Sequence, residues 1–157
     1  MNETERVRRI YDRLADRYDR AERWERRFFG ADARGLVREA QGEVLELAVG
    51  TGRNIALYPA SAQVTGIELS DVMLERARAR ARELGRDVDL RQGDAQALPF
   101  REAAFDTVVC TFSLCTIPDE RRALAEARRV LRPGGLLLLV EHVRSPNPVV
   151  RLLERLV

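Results

Sequence analysis

The hydrophobic positions of this chain follow a helical spacing near its start and form short apolar runs from residue 44 onward. Between Glu3 and Phe29 the sequence is densely charged, and its apolar residues recur at near-helical intervals: Val7, Ile10, Tyr11, Leu14, Tyr18 and Trp24. This spacing predicts one or two amphipathic helices with a face that needs an apolar partner. After Gly30 and Gly35, residues 36–41 predict another short helix.

Strand and helix patterns then alternate along the chain. Short apolar runs predict strands at 44–48, 63–67, 88–91, 105–111 and 136–141. Helical patterns lie between them, at 53–58, 72–84 and 119–131, and a last helical run starts at Pro148. Ser70 or Asp71 is suited to cap the second of these helices, and Gly85 to end it. The alternation predicts an α/β fold with a parallel sheet and helices on both faces.

Composition narrows the class of protein. The chain has 157 residues, of which 45% are hydrophobic and 33% charged, as expected of one soluble globular domain. No apolar stretch approaches the ~20 residues that span a bilayer, and residues 1–9 lack the apolar core of a signal peptide. The cytoplasm is therefore the expected location. A net charge of +2 does not mark a nucleic-acid-binding protein.

Two residue types limit the catalytic and metal-binding chemistry that the chain can support. All 27 basic residues are arginines, which excludes a lysine Schiff base and the lysine of a P-loop. Cys110 and Cys115 are five residues apart, with no second cysteine pair or histidine cluster near them in the sequence. Neither a metal site nor a disulfide framework is therefore expected.

The loop after the first strand is glycine-rich, with the sequence Ala48-Val49-Gly50-Thr51-Gly52. Glycines at this point allow a tight turn and the close approach of a ligand to the backbone. A dinucleotide site requires G-x-G-x-x-G, but Ala48 occupies the first glycine position and Ile55 the last. The loop therefore disfavours a pyrophosphate ligand, and an ordinary tight turn is the alternative interpretation.

Acidic residues follow or end the next two strands. Glu68 lies 16 residues beyond Gly52, where a carboxylate can accept both hydroxyls of a ribose. Asp94 follows the third strand, where a carboxylate can accept from an adenine amino group while the next backbone N–H donates to a ring nitrogen. Each residue alone has a simpler interpretation, as a solvated carboxylate or a helix cap. Together with Glu46 on the first strand, they form a pattern that chance explains poorly.

Five segments in order carry a resemblance to a known family: 46–52, 66–70, 93–100, 105–109 and 131–135. They resemble the motifs of class I S-adenosylmethionine-dependent methyltransferases, and the match runs from about Tyr11 to His142. The resemblance implies a Rossmann-like domain over residues 36–157, preceded by an N-terminal helical lid over residues 1–35. Ala48 departs from the family, which usually has glycine there. We expect binding to persist because alanine is small.

The resemblance also implies the cofactor, S-adenosyl-L-methionine, with S-adenosyl-L-homocysteine as its product. Glu46 and the glycine loop would hold the methionine part, Glu68 the ribose, and Asp94 with the residue after it the adenine. Thr111 and Phe112, at the end of the fourth strand, would face the sulfonium and the acceptor. The full set of cofactor contacts that we expect is Glu46, Ala48, Gly50, Gly52, Asn54, Glu68, Leu69, Met73, Asp94, Ala95, Thr111 and Phe112.

Further resemblances concern the acceptor. Residues 111–117 are mainly apolar and lack the Asn/Asp-Pro-Pro-aromatic motif of amino-methylating nucleic-acid enzymes, and no basic stripe with interleaved aromatics is present. Nucleic acid is therefore not an expected partner. Residues 11–19 look similar to the opening of quinone-biosynthesis C-methyltransferases and phospholipid N-methyltransferases. Residues 108–115 and 141–143 resemble membrane-associated alkyl-thiol methyltransferases. A small-molecule or lipid acceptor is implied, and peripheral membrane contact stays open.

A histidine and a tyrosine are the candidate catalytic residues. His142 is the sole histidine and follows the fifth strand, where it could orient the acceptor or take its proton. A histidine bonded to loop backbone is the alternative. Tyr18 or Tyr11 could lie near the cofactor, or could simply pack the N-terminal helix onto the domain. Cys115 is expected to be a buried packing residue rather than a reactive thiol.

The end of the sequence raises a further expectation. The resembled family continues past the fifth strand with a helix and two more strands, whereas this sequence ends at Val157. We therefore expect the last two strands to be lacking and the fifth strand to form an apolar edge. Such an edge predicts a homo-oligomer formed through strand five or the final helix.

Two other functions stay open at this point. One is a non-catalytic S-adenosylmethionine-binding or scaffold domain without a complete substrate pocket. The other is a nicotinamide-dependent oxidoreductase, which Ala48 and the absent third glycine disfavour.

Overall fold

The computed structural model describes residues 1–29 and 34–141. Its five parallel strands form one sheet in the order β3-β2-β1-β4-β5. The strands are β1 Glu43–Leu47, β2 Gln63–Glu68, β3 Val88–Gln92, β4 Phe105–Thr111 and β5 Leu131–Val140. The strand order reverses between β1 and β4, the kind of switch point at which parallel α/β sheets bind ligands. The predicted Rossmann-like α/β sheet is confirmed.

Within residues 1–29 and 34–141, three α-helices and two short 3-10 helices accompany the sheet. The α-helices are α1 Glu3–Phe29, α2 Asp71–Glu83 and α3 Glu120–Val130, and the 3-10 helices are Gly35–Glu39 and Leu114–Thr116. Ser70 is the cap of α2, since its Oγ accepts from the backbone N–H of Met73 at 3.2 Å. Across the described residues, none of the helices is both long and apolar enough to cross a bilayer.

The centre of the sheet is buried on both faces. On one face the small residues of α3 pack against the apolar side chains of β1 and β4: Ala123, Ala127, Val130, Leu45, Leu47 and Val108. On the other face α2 packs Leu74, Ala77 and Ala81 against Leu90 of β3. Because alternate residues of a strand point to opposite faces, such a two-sided core needs the near-continuous apolar runs of β1 and β4. The expectation of helices on both faces is confirmed.

The helix predicted at 53–58 is wrong. This segment is a series of turns, in which the backbone N–H of Gly52, Ile55 and Leu57 each donates to a carbonyl oxygen three residues earlier. Pro59 disfavours the helical conformation at Tyr58, and six residues are too few to repay the cost of starting a helix. The turns leave the loop after β1 compact and close to the sheet.

Strand β5 starts earlier than the sequence predicts. Leu131 already pairs with Phe105, and the register then shifts before Leu136 pairs with Thr107. The extra residues Arg132 to Gly135 form an irregularity of the kind that bends a strand. The predicted start at residue 136 is therefore wrong. The Pro-Gly-Gly sequence is typical of a turn, but β5 pairs with β4 both before and after it.

Within the described residues, β5 forms one edge of the sheet and pairs with β4 alone. Leu136, Leu137 and Leu139 are 36–40% exposed there. The predicted final helix and His142 lie outside the described residues.

Candidate active site

A cleft of about 660 Å³, partly open to solvent, lies beyond the carboxyl ends of the strands. Side chains from α1 and from the segments after β1 to β4 line it. The predicted site residues among them are Tyr18, Ala48, Gly50, Glu68, Leu69, Met73, Asp94, Ala95 and Phe112. The other predicted cofactor residues are not part of this lining and lie buried: Glu46, Gly52, Asn54 and Thr111.

The loop after β1 has left-handed backbone at three positions. Ala48, Gly50 and Gly52 have φ angles of 51°, 58° and 78°. The backbone N–H of Val49 donates to the carbonyl of Ile67 at 3.0 Å, which ties the loop to the end of β2. Alanine is strained in this region because its Cβ crowds the backbone, whereas glycine is not. Backbone conformation at Ala48 therefore accounts for a preference for glycine, without any appeal to crowding of a ligand.

Replacing Ala48 with glycine is expected to raise the free energy of unfolding by up to about 1 kcal/mol, since it removes this left-handed strain. Chemical denaturation measures the change. The control is Ala56→Gly in the following turns, where φ is not positive and glycine should lower stability by about 0.5–1 kcal/mol. Loss of stability in both variants would show that strain at Ala48 is negligible.

Glu68 is held in place by backbone groups. Its Oε2 accepts from the N–H of Gly50 and its Oε1 from the N–H of Ser70, both at 2.9 Å. Burial raises the pKa of this carboxyl, and the hydrogen bonds from Ser70 and Gly50 lower it. Because each carboxylate oxygen can accept more than one hydrogen bond, both retain capacity for a ligand. Glu68 is thus an oriented double acceptor in the wall of the cleft.

Asp94 is held by its own loop in a similar way. Its Oδ1 accepts from the backbone N–H of Gln96 at 2.8 Å, and the Gln96 side-chain amide donates to both carboxylate oxygens, at 2.9 and 3.1 Å. The carbonyl oxygen of the Gln96 side chain accepts from the backbone N–H of Asp119 at 2.9 Å. Gln96 is buried and therefore fixes Asp94 relative to the start of α3.

Glu46 is the most deeply buried acid of the site. Its Oε1 accepts from Asn54 Nδ2 and its Oε2 from the Tyr58 hydroxyl, both at 2.7 Å, and the residue is 2% exposed. Burial raises the pKa of Glu46 to about 7, although hydrogen bonds from Tyr58 and Asn54 lower it. Near neutral pH the protonated and the ionised form of this carboxyl are therefore both populated. A cationic partner would favour the ionised form.

Helix α1 contributes to the lining of the cleft, and several of its residues bond to the domain. Ser70 Oγ donates to Asp12 Oδ1 at 2.6 Å, and Gln96 Nε2 donates to Thr4 Oγ1 at 3.3 Å. The Arg53 guanidinium lies 4.3 Å from the ring centroid of Tyr18, and its Nη2 donates to the Tyr18 carbonyl at 2.5 Å. The helix is thereby joined to segments that follow β1, β2 and β3.

The segment after β4 forms a more apolar wall. Phe112, Ile117 and Pro118 line the cleft there. Glu141 Oε1 accepts from the backbone N–H of Ser113 at 3.1 Å and of Leu114 at 3.0 Å, which fixes the start of the 3-10 helix. This wall offers an acceptor molecule apolar contacts.

One of the two cysteines differs from the sequence prediction. Cys115 is exposed, so the expectation of a buried packing residue is wrong for it. Cys110 is the buried one, and burial raises the pKa of its thiol to about 12. A thiol with so high a pKa is a poor nucleophile at neutral pH.

Sequence reasoning missed several residues of the site, among them Arg34, Tyr58, Gln96 and Glu141. Gln96 alone has a local signal, because a residue two positions after an aspartate commonly bonds to its side chain. The partners of the other three are distant in sequence, as with Arg34 and Thr111 or Glu141 and Ser113. Only the folded chain brings them together.

Comparisons with known proteins agree with this geometry. Residues 45–139 match a family model described as a methyltransferase domain. The chain is 41% identical over 116 residues to a phosphatidylethanolamine N-methyltransferase of Cereibacter sphaeroides, covering 72% of the chain and 57% of that protein. It is 36% identical over 157 residues to a demethylmenaquinone methyltransferase of Thermus thermophilus, covering 93% and 70%.

A solved structure shows the same fold. The crystal structure of an S-adenosylmethionine-dependent methyltransferase from Thermotoga maritima aligns with a TM-score of 0.70 and 30% identity, over 85% of this chain and 60% of that one. The chain spans roughly half to two thirds of the length of several relatives that it matches. It belongs to the methyltransferase domain family, among the class I S-adenosylmethionine-dependent methyltransferases.

Proposed function

We propose that the protein transfers the methyl group of S-adenosylmethionine to a small or lipophilic acceptor: a quinol precursor, a phospholipid amine or a thiol. The observation that carries this proposal is the placement of Glu46, Glu68 and Asp94 at the carboxyl ends of three adjacent strands, where Glu68 and Asp94 line one cleft and Glu46 is buried at the end of β1. Relatives named for a phospholipid amine and for demethylmenaquinone support the acceptor class.

The residues of the cleft suit this cofactor. A Cβ added at Gly50 would meet no atom closer than 4.0 Å, so the loop leaves open space beside the backbone. Glu68 offers oriented acceptors for ribose hydroxyls, and Asp94 with Ala95 offers an acceptor and a backbone donor for adenine. Glu46 would hold the methionine ammonium. When bound, S-adenosylmethionine supplies an electrophilic methyl group on a cationic sulfonium.

The chain contributes positioning and exclusion of water. The apolar wall at Phe112, Ile117 and Pro118 would align a lipophilic acceptor in a medium of low polarity, which favours a step that disperses charge. We propose that residues 1–35 are a lid on a domain of residues 36–157. In this proposal Tyr18 shields the reacting groups, and His142 orients the acceptor or takes its proton.

Calorimetry with S-adenosylmethionine, S-adenosylhomocysteine and NAD tests the binding half of the proposal. We expect the first two to bind and NAD not to bind. Turnover of a quinol precursor, phosphatidylethanolamine or an alkyl thiol then tests the catalytic half. Binding of the cofactor without turnover of any lipophilic acceptor would favour the scaffold function, and failure of the first two ligands to bind would refute the proposal.

Cofactor binding is expected to release a proton near neutral pH. The ammonium of the methionine part favours the charged form of Glu46, whose pKa is about 7 when no ligand is bound, so binding should lower that pKa. Affinity should therefore fall by about tenfold as the pH drops from 8 to 6, and level off above pH 8. Calorimetry with S-adenosylhomocysteine in buffers of different ionisation enthalpy measures the released proton.

The control ligand is 5′-methylthioadenosine, which lacks the amino-acid end. Its binding should release no proton, and Glu46→Gln should abolish the release seen with S-adenosylhomocysteine. Equal proton release for both ligands would place the titrating group elsewhere.

We further propose that two copies associate through β5. Leu136, Leu137 and Leu139 expose apolar surface on an edge strand of the described sheet, an arrangement that invites pairing. Light scattering over a range of concentrations should show a dimer. Leu137→Lys should shift the equilibrium to monomer, whereas Leu84→Lys, which replaces a similarly exposed leucine after α2, should not. A monomer at every concentration would contradict this proposal.

A further inference from the structure

The charged side chains of helix α1 are separated by sign. Glu5 and Asp12 are partly buried, and both accept from the guanidinium of Arg8, at 2.9 and 3.1 Å. Asp12 also accepts from Ser70 at the start of α2, so this flank of α1 lies against the domain. Among the described side chains between residues 3 and 18, the one exposed acid is Glu3, at the start of the helix. The exposed arginines of the same stretch are Arg6, Arg9, Arg13 and Arg17.

These four arginines form a stripe that faces away from the domain, because residues three and four apart share one side of a helix. Two large apolar side chains are exposed beside the stripe, since Ile10 is 43% and Leu14 41% exposed. Arg9 keeps an ion pair with Glu5 at 3.0 Å. The surface is therefore positively charged and partly apolar. We call it the outer face of α1, and its members are Arg6, Arg9, Ile10, Arg13, Leu14 and Arg17.

The other two α-helices do not combine these features. Helix α2 exposes Val72 beside acids of its first turns, Asp71 and Glu75. Helix α3 exposes arginines, among them Arg121 and Arg128, but no large apolar side chain. In the part of the chain that the structure describes, an arginine stripe beside exposed apolar side chains is thus confined to α1.

One flank of α1 connects the outer face to the cleft through apolar and aromatic side chains. Val7 lies three residues before Ile10, and Tyr11 three residues before Leu14, so each pair is adjacent on the helix surface. Val7 and Tyr11 line the cleft. Burial raises the pKa of Tyr11 and a hydrogen bond with the Thr116 side chain lowers it, so this flank meets the segment that carries the apolar wall. It offers a lipophilic molecule a continuous apolar route into the cleft.

A basic helical face with exposed apolar residues matches the surface of a membrane that contains anionic lipids. Arginines are attracted to the negative surface potential of such a membrane, while apolar side chains enter the boundary between headgroups and acyl chains. A nucleic acid would use the arginines through its phosphates but would leave Ile10 and Leu14 in water. A second copy of the same face would bring like charges together. An anionic bilayer is the occupant that uses both kinds of residue.

We propose that the outer face of α1 docks on an anionic lipid bilayer and that the acceptor enters the cleft from the bilayer along the apolar flank of the helix. This inference rests on the proposed function and assigns a membrane-dissolved acceptor to the same site. The contact is shallow and largely electrostatic, so it is reversible and weakens as the salt concentration rises.

The test is sedimentation of the protein with two kinds of vesicle: phosphatidylcholine alone, and phosphatidylcholine with phosphatidylglycerol in equal parts. Wild type should bind the anionic vesicles much more tightly than the neutral ones, and high salt should release it. Arg6→Gln with Arg13→Gln should weaken this binding by about 10- to 30-fold, because each arginine near an anionic surface contributes a factor of about five. Ile10→Ser with Leu14→Ser should weaken it by about tenfold.

Matched controls remove the same kinds of group elsewhere. Arg121→Gln with Arg128→Gln takes an equal charge from α3, and Leu84→Ser takes a similarly exposed leucine from the end of α2. Both should bind vesicles as wild type does, and thermal unfolding shows whether each variant is folded. Equal weakening by the α3 pair would assign the effect to net charge alone and would overturn the proposal.

The remaining outcomes separate docking from the proposed function. Affinity for S-adenosylhomocysteine in solution should be unchanged in the outer-face variants, because these side chains are not part of the cleft lining. Equal binding of wild type to both kinds of vesicle, or to neither, would refute the inference even if a variant does not fold. Binding of an RNA oligonucleotide without binding of anionic vesicles would also refute it. Failure of wild type to bind S-adenosylmethionine and S-adenosylhomocysteine would instead refute the proposed function.

Discussion

Replacing Glu68 with alanine is expected to weaken the binding of S-adenosylhomocysteine by about 10- to 100-fold, or roughly 1–3 kcal/mol. The change removes the acceptors proposed for the ribose hydroxyls. It also leaves the N–H groups of Gly50 and Ser70 without the acceptor that they share, so the loop after β1 loses one of its ties to the end of β2 and keeps the bond from Val49 to Ile67. Calorimetry measures the affinity, and thermal unfolding shows whether the variant is folded.

Glu83→Ala is the control for this prediction, because Glu83 is exposed at the end of α2 and far from the described cleft lining. It should bind the ligand as wild type does. A folded Glu68→Ala variant with unchanged affinity would mean that the carboxylate serves the loop alone.

Alanine at Gly52 should mainly lower the stability of the fold, whereas alanine at Gly50 should mainly lower the affinity for the ligand. At Gly52 φ is 78°, and an added Cβ would lie 2.6 Å from Ile55 Cδ1 and 3.2 Å from the backbone Cα of Ala77 in α2. Left-handed strain plus overpacking should lower the free energy of unfolding by about 2–4 kcal/mol. At Gly50 no neighbour crowds the methyl, so stability should fall by only about 1–2 kcal/mol, from strain.

The methyl at Gly50 would instead occupy space in the lining of the cleft, where the ligand is proposed to approach the backbone. Gly50→Ala should therefore lose affinity for S-adenosylhomocysteine while it stays folded at 25 °C. Denaturant titration and calorimetry on both variants separate the two effects. Equal loss of stability in the two variants would contradict the packing difference between the positions.

Much of the fold follows from patterns that depend on neighbouring residues. The bounds of β4 were predicted as observed, because a strand buried on both faces is a near-continuous apolar run in the sequence. Helix α2 was predicted to within a residue, since Ser70 and Gly85 mark its two ends. The segment at 53–58 was mistaken because helical spacing over six residues does not distinguish a helix from repeated turns.

The site could be predicted from sequence only where it follows a strand directly. Parallel strands place their carboxyl ends at one edge, so the order of the strands along the chain suffices to assign Glu68 and Asp94 to one cleft. That Glu46 is shielded by Tyr58 could not be foreseen, because this contact depends on how the turns after Gly52 fold back. The same holds for Arg34, whose partner Thr111 is 77 residues away.

The order of the strands separates the residues proposed to bind the cofactor from those proposed to contact the acceptor. The three acids follow from β1, β2 and β3, whereas the apolar wall follows β4, on the other side of the switch point. None of the described hydrogen bonds of the Glu68 and Asp94 carboxylates involves a side chain between Ser113 and Ile117, so substitutions there remove none of these bonds directly. In the function proposed above, acceptor choice can therefore be altered on that side by single substitutions while these two acids keep their hydrogen bonds, which makes this half of the cleft the target for directed evolution of acceptor choice.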